Sequence, residues 1–282
     1  MKIIECPRDA MQGINTFIPT EKKIEYINQL LRVGFHTIDF GSFVSPRAIP
    51  QLKDTAQVLS ALDLSQTSSK LLSIIANIRG AEQACNFDEI DYLGFPLSVS
   101  EEFQKRNTNK NIDTAICVVE EIQNLCFKYN KQQVVYISMA FGNPYNEFWN
   151  ADLVLDLTNK LSSLGINIIA VSDTIGCANI SNIESLFTLL NYEYPHIDFG
   201  AHFHSTKDKC QEMIEAAYKS GCDRFDTTIK GYGGCPMAKD ELTGNIPTEE
   251  LISFTKSKGI SVKLRDDILK DIVNNMSYYF NL

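Results

Sequence analysis

The feature that most constrains this chain is a regular alternation of strand-like and helix-like stretches. Each short apolar run with strand character is followed by a segment whose apolar residues keep helical spacing. Eight strands are predicted, over residues 2–6, 35–40, 71–76, 90–95, 133–140, 166–172, 197–204 and 224–229. Helices are predicted over residues 20–33, 47–61, 112–129, 151–164, 180–190 and 248–258, near Ala81 and after Thr206, with a last amphipathic stretch at 264–276. Eight strand-then-helix units predict a (β/α)8 TIM barrel with an extra C-terminal helix, as a single catalytic domain over residues 1–282. A doubly wound open sheet is the alternative.

Composition narrows the classes of partner. The 282 residues include 44% hydrophobic ones, enough for a full core, and the net charge of −9 argues against bulk binding to nucleic acid or to a membrane surface. No run approaches the roughly 20 apolar residues of a membrane span, and the N-terminus lacks the apolar core of a signal peptide. None of the eight cysteines falls in a C-x-x-C pair, which favours a reducing, cytoplasmic location.

Polar residues cluster where the predicted strands end. Catalytic residues of TIM barrels lie at the carboxyl ends of the strands, so these positions are candidates for the site. Turns also favour Asp, Asn and Ser, which accounts for some of the pattern by chance. The candidates are Arg8 and Asp9 after strand one, Asp39 to Ser42 at the end of strand two, Asn77, Ser138, Asp173, Thr174, the histidines of strand seven, and Thr228.

His202 and His204 are the strongest of these candidates. Residues i and i+2 of a strand project to the same face, so the two imidazoles are expected to lie side by side. Two buried histidines satisfied by hydrogen bonds are the alternative to a metal site. Asp9 is the expected carboxylate partner because strands one and seven are two apart around a closed barrel, although it also fits a turn or helix cap. Two imidazoles and one carboxylate suit several divalent ions, and completion by Asn245 and water would favour Mg²⁺ or Mn²⁺.

Two further residues carry possible chemistry. Arg8, next to Asp9, would stabilise an oxyanion at such a metal, unless it is an ordinary surface arginine. Cys235 lies in the run Gly231-Tyr232-Gly233-Gly234-Cys235-Pro236, which we interpret as a mobile loop. Most cysteines are packing residues, but one between glycines and a proline is better placed for proton transfer.

At these residues the sequence resembles the 3-hydroxy-3-methylglutaryl-CoA (HMG-CoA) lyase family, within the DRE-TIM metallolyase superfamily. The matching motifs keep their order and spacing from about residue 2 to residue 278. They are Pro7-Arg8-Asp9, Ser42-Phe43-Val44-Ser45-Pro46, Gly142-Asn143-Pro144-Tyr145, Asp173-Thr174-Ile175-Gly176, His202-Phe203-His204, Gly233-Gly234-Cys235-Pro236 and Gly244-Asn245-Ile246-Pro247-Thr248-Glu249.

The resemblance implies a retro-Claisen cleavage of HMG-CoA to acetyl-CoA and acetoacetate by a homodimer. Asp9, His202, His204 and Asn245 would be the metal ligands, Arg8 the oxyanion stabiliser, and Cys235 the acid/base on a closing loop. Leucine catabolism is the expected role. Expected substrate-binding residues are Gln12, Ser42, Asn77, Ser138, Asp173 and Thr174.

The sequence departs from the family at several positions. Asp39 stands where these lyases carry a catalytic glutamate, and the lysine that follows the Arg-Asp motif is missing. A related lyase or aldolase acting on another 3-hydroxyacyl-CoA or 2-oxo acid is therefore one alternative, and a non-catalytic metal-binding barrel is another.

Overall fold

Eight parallel strands close into a barrel in this computed structural model, which describes residues 1–234 and 244–280. The strands are β1 (Lys2–Glu5), β2 (Thr37–Ser42), β3 (Lys70–Ile74), β4 (Tyr92–Ser98), β5 (Gln132–Ser138), β6 (Ile168–Asp173), β7 (Asp198–Ser205) and β8 (Arg224–Thr227). Each strand pairs with the next in sequence, and β8 pairs with β1 to complete the ring. The predicted TIM barrel is confirmed, and the open-sheet alternative is wrong.

Helices surround the barrel and connect its strands. They are α1 (Pro7–Gln12), α2 (Thr20–Val33), α3 (Thr55–Ser60), α4 (Ile78–Cys85), α5 (Glu101–Thr108), α6 (Ile112–Lys128), α7 (Ala151–Ser163), α8 (Ile180–Glu193), α9 (Cys210–Lys219), α10 (Thr248–Ser257), α11 (Asp266–Asn274) and α12 (Met276–Phe280). The predicted C-terminal helix is α11, which packs against α2. No helix in the described part of the chain is long and apolar enough to cross a membrane.

Short polar side chains fix where several helices begin. Asn77, Ser100, Asn111, Asn150 and Asn179 each accept a hydrogen bond from a backbone N–H in the first turn of the helix that follows. Such caps satisfy donors that have no partner within the helix.

Helix α2 begins without a side-chain cap. Pro19 holds the capping position, and Thr20 is already helical, with its hydroxyl donating to Asp54 at 2.8 Å. The helix ends at Gly34 in the left-handed conformation (φ 93°), as glycine allows.

The barrel interior is apolar at mid-height and polar at its carboxyl end. Side chains from β3 to β6 fill the middle of the barrel: Leu72, Ile74, Tyr92, Val134, Tyr136, Ile168 and Ala170. A larger apolar layer lies between the strands and the helices. A short antiparallel strand, β9 (Gly244–Asn245), pairs with the end of β7 and places Asn245 opposite His204. The candidate site therefore lies above the packed apolar middle of the barrel.

Candidate metal centre and active site

Asp9, His202 and His204 meet at the carboxyl end of the barrel. One ligand atom from each residue lies within 4.8 Å of the others. The two histidines come from consecutive inward positions of β7, as their spacing predicts. Asp9 lies in α1, directly after β1. The first turn of that helix directs its carboxylate toward the histidines.

Both imidazoles are oriented by a hydrogen bond at Nδ1. His202 Nδ1 lies 3.1 Å from Asp226 Oδ2, and His204 Nδ1 lies 2.9 Å from the backbone oxygen of Thr174. Both partners are acceptors, so each Nδ1 carries a proton, and Nε2 of the neutral ring presents a lone pair. His204 Nε2 is buried and has no hydrogen-bond partner among the described residues. A buried acceptor of this kind, beside a carboxylate, is what a metal ligand needs.

The protonation states of His204 and Asp9 fit a cation. Burial, and then the neighbouring His202, lower the pKa of His204 to about 4, so this ring is neutral near pH 7. Burial by itself would raise the pKa of Asp9, but Arg8 and the two histidines outweigh it and hold that pKa at about 2. A neutral imidazole and an ionised carboxylate are the forms that bind divalent metals.

Asn245 completes the cluster from β9. Its Nδ2 donates to Asp9 Oδ2 at 2.6 Å and to the backbone oxygen of Tyr232 at 3.0 Å. The residue is buried and lies opposite His204 in the β7–β9 pair. Its amide therefore stands close enough to Asp9 to join a shared ligand set.

Arg8 is held rigidly between two carboxylates. Its Nε and Nη2 donate to Asp39 Oδ2 at 2.9 and 2.6 Å, and its Nη1 donates to Asp9 Oδ1 at 2.7 Å. A further bond joins Nη1 to Gln12 Oε1 at 3.1 Å. Burial works against its charge, but Asp39 and Asp9 more than compensate and raise the pKa of Arg8. The guanidinium thus stays cationic beside the cluster of Asp9, His202 and His204.

Asp39 is fully buried beneath Arg8. Burial raises the pKa of Asp39 to about 6, although the Arg8 guanidinium opposes the shift. Its Oδ1 has no hydrogen-bond partner within the described part of the chain. Asp39 is not among the residues that line the adjacent cavity. In this geometry it contacts the site through Arg8.

A cavity of about 410 Å³ opens directly above the cluster. Seven of the predicted site residues line it: Arg8, Asp9, Gln12, Ser138, Thr174, His202 and His204. Apolar side chains, among them Val44, Ile49 and Phe103, form much of the remaining wall. Its size and mixed lining suit a small-molecule substrate.

Three predicted substrate-binding residues lie outside that lining and make local contacts. Ser42 Oγ donates to the backbone oxygen of Ile74 at 3.1 Å, and Asn77 caps α4. The carboxylate of Asp173 accepts the backbone N–H groups of Cys177 and Ala178 at 2.9 and 3.0 Å. Their roles in substrate binding stay predictions.

Cys235 lies outside the described residues. The glycines that precede it run directly over the site: Gly234 lines the cavity, and a Cβ on Gly233 would lie 2.5 Å from the backbone oxygen of Asp9. Only glycine allows this approach, because Gly233 also has a φ of +85°.

Sequence reasoning missed part of the site. Asp226, the partner of His202, lies inside β8, where no turn signal marks it. Phe103, Asn107 and Thr108 of α5 line the cavity, but that helix was not predicted. Ser100 followed by two glutamates is a helix-start signal that indicates it. Tyr136 lines the cavity from β5 and makes an edge contact with the ring of His202, 5.6 Å between centroids.

A parallel (β/α)8 barrel with an Asp-His-His cluster and a clamped arginine at its carboxyl end has the architecture of a metal-assisted TIM-barrel enzyme. The comparisons with known proteins make the class specific. A family model described as HMGL-like matches residues 2–275, and the chain belongs to this HMGL-like family. The family resemblance seen in the sequence motifs is confirmed, and the homologues are carbon–carbon lyases.

The relatives cover nearly all of the chain. A hydroxymethylglutaryl-CoA lyase of Bacillus subtilis is 31% identical over 259 residues, which is 92% of this chain and 86% of that protein. A cytoplasmic 3-hydroxy-3-methylglutaryl-CoA lyase of Rattus norvegicus is 30% identical over 93% of this chain and 76% of its own length.

Solved structures agree with this assignment. The HMG-CoA lyase of Bacillus subtilis superposes with a TM-score of 0.93 at 30% identity, over 99% of this chain and 93% of that chain. An HMG-CoA lyase of Acinetobacter baumannii, in complex with coenzyme A and 3-methylmalate, gives a TM-score of 0.91 at 30% identity, over 100% of this chain and 91% of that one.

Proposed function

We propose that this protein is a metal-dependent lyase that cleaves HMG-CoA to acetyl-CoA and acetoacetate. The observation that carries the proposal is the Asp9-His202-His204 cluster, with its unpartnered His204 Nε2, at the floor of a cavity that Arg8 also lines. The family and the named activity of the relatives support the choice of reaction. The complex of one relative with coenzyme A supports the class of substrate.

The donor set favours Mg²⁺ or Mn²⁺. Asp9, His202, His204 and Asn245 would hold the ion, and the described cluster contains no thiolate. When bound, a divalent ion lowers the pKa of a coordinated hydroxyl and attracts negative charge on a coordinated oxygen.

Arg8 stabilises the charge that develops as the bond breaks. In a retro-Claisen cleavage, a base removes the proton of the tertiary hydroxyl, the bond between C2 and C3 breaks, and its electron pair leaves as a thioester enolate. The guanidinium of Arg8 is already fixed by Asp39 and Asp9, so it needs no reorganisation when the enolate oxygen becomes negative. Asp39 orients this donor and keeps it in place.

Proton delivery to the enolate carbon is assigned to Cys235. Gly233 lies against Asp9 and Gly234 lines the cavity, and the assignment of Cys235 rests on the Gly233-Gly234-Cys235-Pro236 motif by which the sequence resembles the family. A proton from the thiol would complete acetyl-CoA. Gln12, Ser138 and Thr174 are the proposed contacts to the acyl group, with Ser42, Asn77 and Asp173 supporting the loops around them.

The wider setting is also proposed. We infer one catalytic domain over residues 1–282, a homodimer, a cytoplasmic location and a role in leucine catabolism. Some relatives are named cytoplasmic and others mitochondrial, so fractionation of the native cell is the test of location. Light scattering during gel filtration measures the oligomeric state.

A substrate screen tests the function directly. Purified protein with Mg²⁺ or Mn²⁺ and HMG-CoA should release acetoacetate, and EDTA should abolish the activity until metal is restored. His204→Ala should be inactive, whereas His196→Ala, a change at an exposed histidine bonded to Ser162, should retain activity. Turnover of another 3-hydroxyacyl-CoA, with no turnover of HMG-CoA, would refute the assignment of HMG-CoA as the substrate. Metal binding without turnover of any thioester would refute the lyase.

A further inference from the structure

Asp226 is a buried carboxylate on the inner face of β8, directly beside a ligand of the proposed metal centre. The pairing of β7 with β8 sets Gly200 opposite Arg224 and Ala201 opposite Phe225. Continuing that register by one residue brings His202 level with Asp226. Asp226 Oδ2 lies 3.1 Å from His202 Nδ1, and the aspartate is only 3% exposed.

The carboxylate of Asp226 makes no other hydrogen bond among the described residues. Its Oδ1 is buried and unpartnered, so this side chain satisfies no turn, cap or strand end within that part of the chain. A buried charge is costly unless it is paired, so a purely structural use would be an expensive one. The contact with His202 is the one hydrogen bond through which the carboxylate acts.

Two rings of the same cluster are held by different acceptors. His204 donates its Nδ1 proton to the neutral backbone oxygen of Thr174, whereas His202 donates to a carboxylate. Carboxylates behind metal-bound histidines fix the tautomer and raise the basicity of the nitrogen that binds the metal. His202 is therefore the ligand whose orientation and basicity depend on one replaceable side chain.

We propose that Asp226 is a positioning residue that fixes His202 in its Nδ1-protonated form and so directs Nε2 toward Asp9. This inference rests on the proposed metal centre. Asp226 touches neither the cavity nor any reacting atom, because it lies behind the ring and is not part of the cavity lining.

The first test reads the tautomer in metal-free protein. The chain has only four histidines, so ¹⁵N-histidine labelling gives a resolvable set of ring nitrogens in long-range NMR spectra. His202 should show a protonated Nδ1 in the wild type. Asp226→Ala should convert only this ring to a mixture of tautomers and leave His204 unchanged. An unaltered His202 pattern in that variant would overturn the proposal.

The second test measures Mn²⁺ affinity from the EPR signal of free Mn²⁺. Asp226→Ala should weaken binding by roughly 10- to 100-fold, the usual effect of removing such a partner. Asp226→Asn keeps an acceptor oxygen of the same shape and loses only the charge, so a smaller loss is expected. Because this variant is isosteric, it also guards against loss of folding.

The control is Asp198→Asn at the opposite end of β7. It removes the same charge, from a carboxylate bonded to Lys2 Nζ at 2.7 Å, and should leave Mn²⁺ affinity unchanged. Equal losses in the Asp226 and Asp198 variants would show a general charge effect and refute positioning. If the wild-type protein binds no Mn²⁺, the proposed metal centre is wrong. If the wild type binds Mn²⁺ and Asp226→Ala binds it equally tightly, only the positioning role of Asp226 is wrong.

Discussion

The ion pair between Arg8 and Asp39 lets the structural and chemical roles of the arginine be separated. Arg8→Gln removes the guanidinium and leaves Asp39, which is fully buried, without the two hydrogen bonds it receives. Breaking a buried pair by removing one partner costs about 3–5 kcal/mol, because the remaining carboxyl must either stay charged without a partner or take up a proton. The free energy of unfolding should fall by this amount.

The double variant Arg8→Gln with Asp39→Asn should recover most of that loss. Neither position then carries a charge, and replacing both partners by neutral groups of similar shape is far less costly than removing one. The losses of stability in the single variants Arg8→Gln and Asp39→Asn should therefore be strongly non-additive.

Turnover should respond differently from stability. Both the single and the double variant lack the guanidinium, and removal of one oxyanion donor costs about 3 kcal/mol, or about 10²-fold in kcat. KM should change much less, because the interaction strengthens only as the enolate forms.

Urea unfolding and steady-state release of acetoacetate measure the two effects on the same preparations. Recovery of both stability and kcat in the double variant would refute the proposed chemistry, since Arg8 would then act only through folding. A change confined to KM would make it a binding residue.

Three further predictions concern other parts of the molecule. Cys235→Ser should cripple turnover and leave Mn²⁺ affinity intact; equal activity would remove Cys235 from the mechanism. Burial raises the pKa of Glu5 from 4.5 to about 8, so the folded state binds more protons than the unfolded state between these values, and stability falls as pH rises through this window. Glu5→Gln should flatten that dependence by up to about 1.4 kcal/mol per pH unit in urea titrations, and parallel curves would contradict it. Thr174→Val should destabilise the fold by about 1–3 kcal/mol, because Thr174 Oγ1 accepts the N–H of Met139 at 2.8 Å. Thr174→Ser keeps the hydroxyl and should not destabilise the fold. Equal melting temperatures of the two variants would refute the role of this hydrogen bond.

Long, strongly periodic segments were predicted closely. The helix expected over residues 20–33 is α2, with the same bounds, and the eight expected strands all occur. Boundaries shifted where strand ends carry polar residues: the strand expected at 35–40 is β2, Thr37–Ser42, which extends through Gly41 and Ser42. Asp39 lies inside both the expected and the observed strand, and its carboxylate accepts from Arg8 within the barrel.

Short polar helices were missed. The helix α1 has six residues, and α5 buries only Phe103 and Gln104 within its eight, so neither produces a readable apolar period. Both matter to the site, because α1 carries Arg8 and Asp9 and α5 supplies part of the cavity wall. Part of the candidate site thus lies on helices with the weakest periodic signal in the sequence.

By itself, the sequence determined the barrel and the identity of the metal-binding candidates. Periodicity and the i, i+2 spacing of His202 and His204 are local properties, and local patterns are readable in one dimension. Only the tertiary structure decided which partner holds each imidazole ring, that Arg8 is shared between two carboxylates, and that Asp226 supports His202. Apart from the bond between the adjacent residues Arg8 and Asp9, these hydrogen bonds join residues 24 to 31 positions apart, which closure of the barrel brings together and no local pattern encodes.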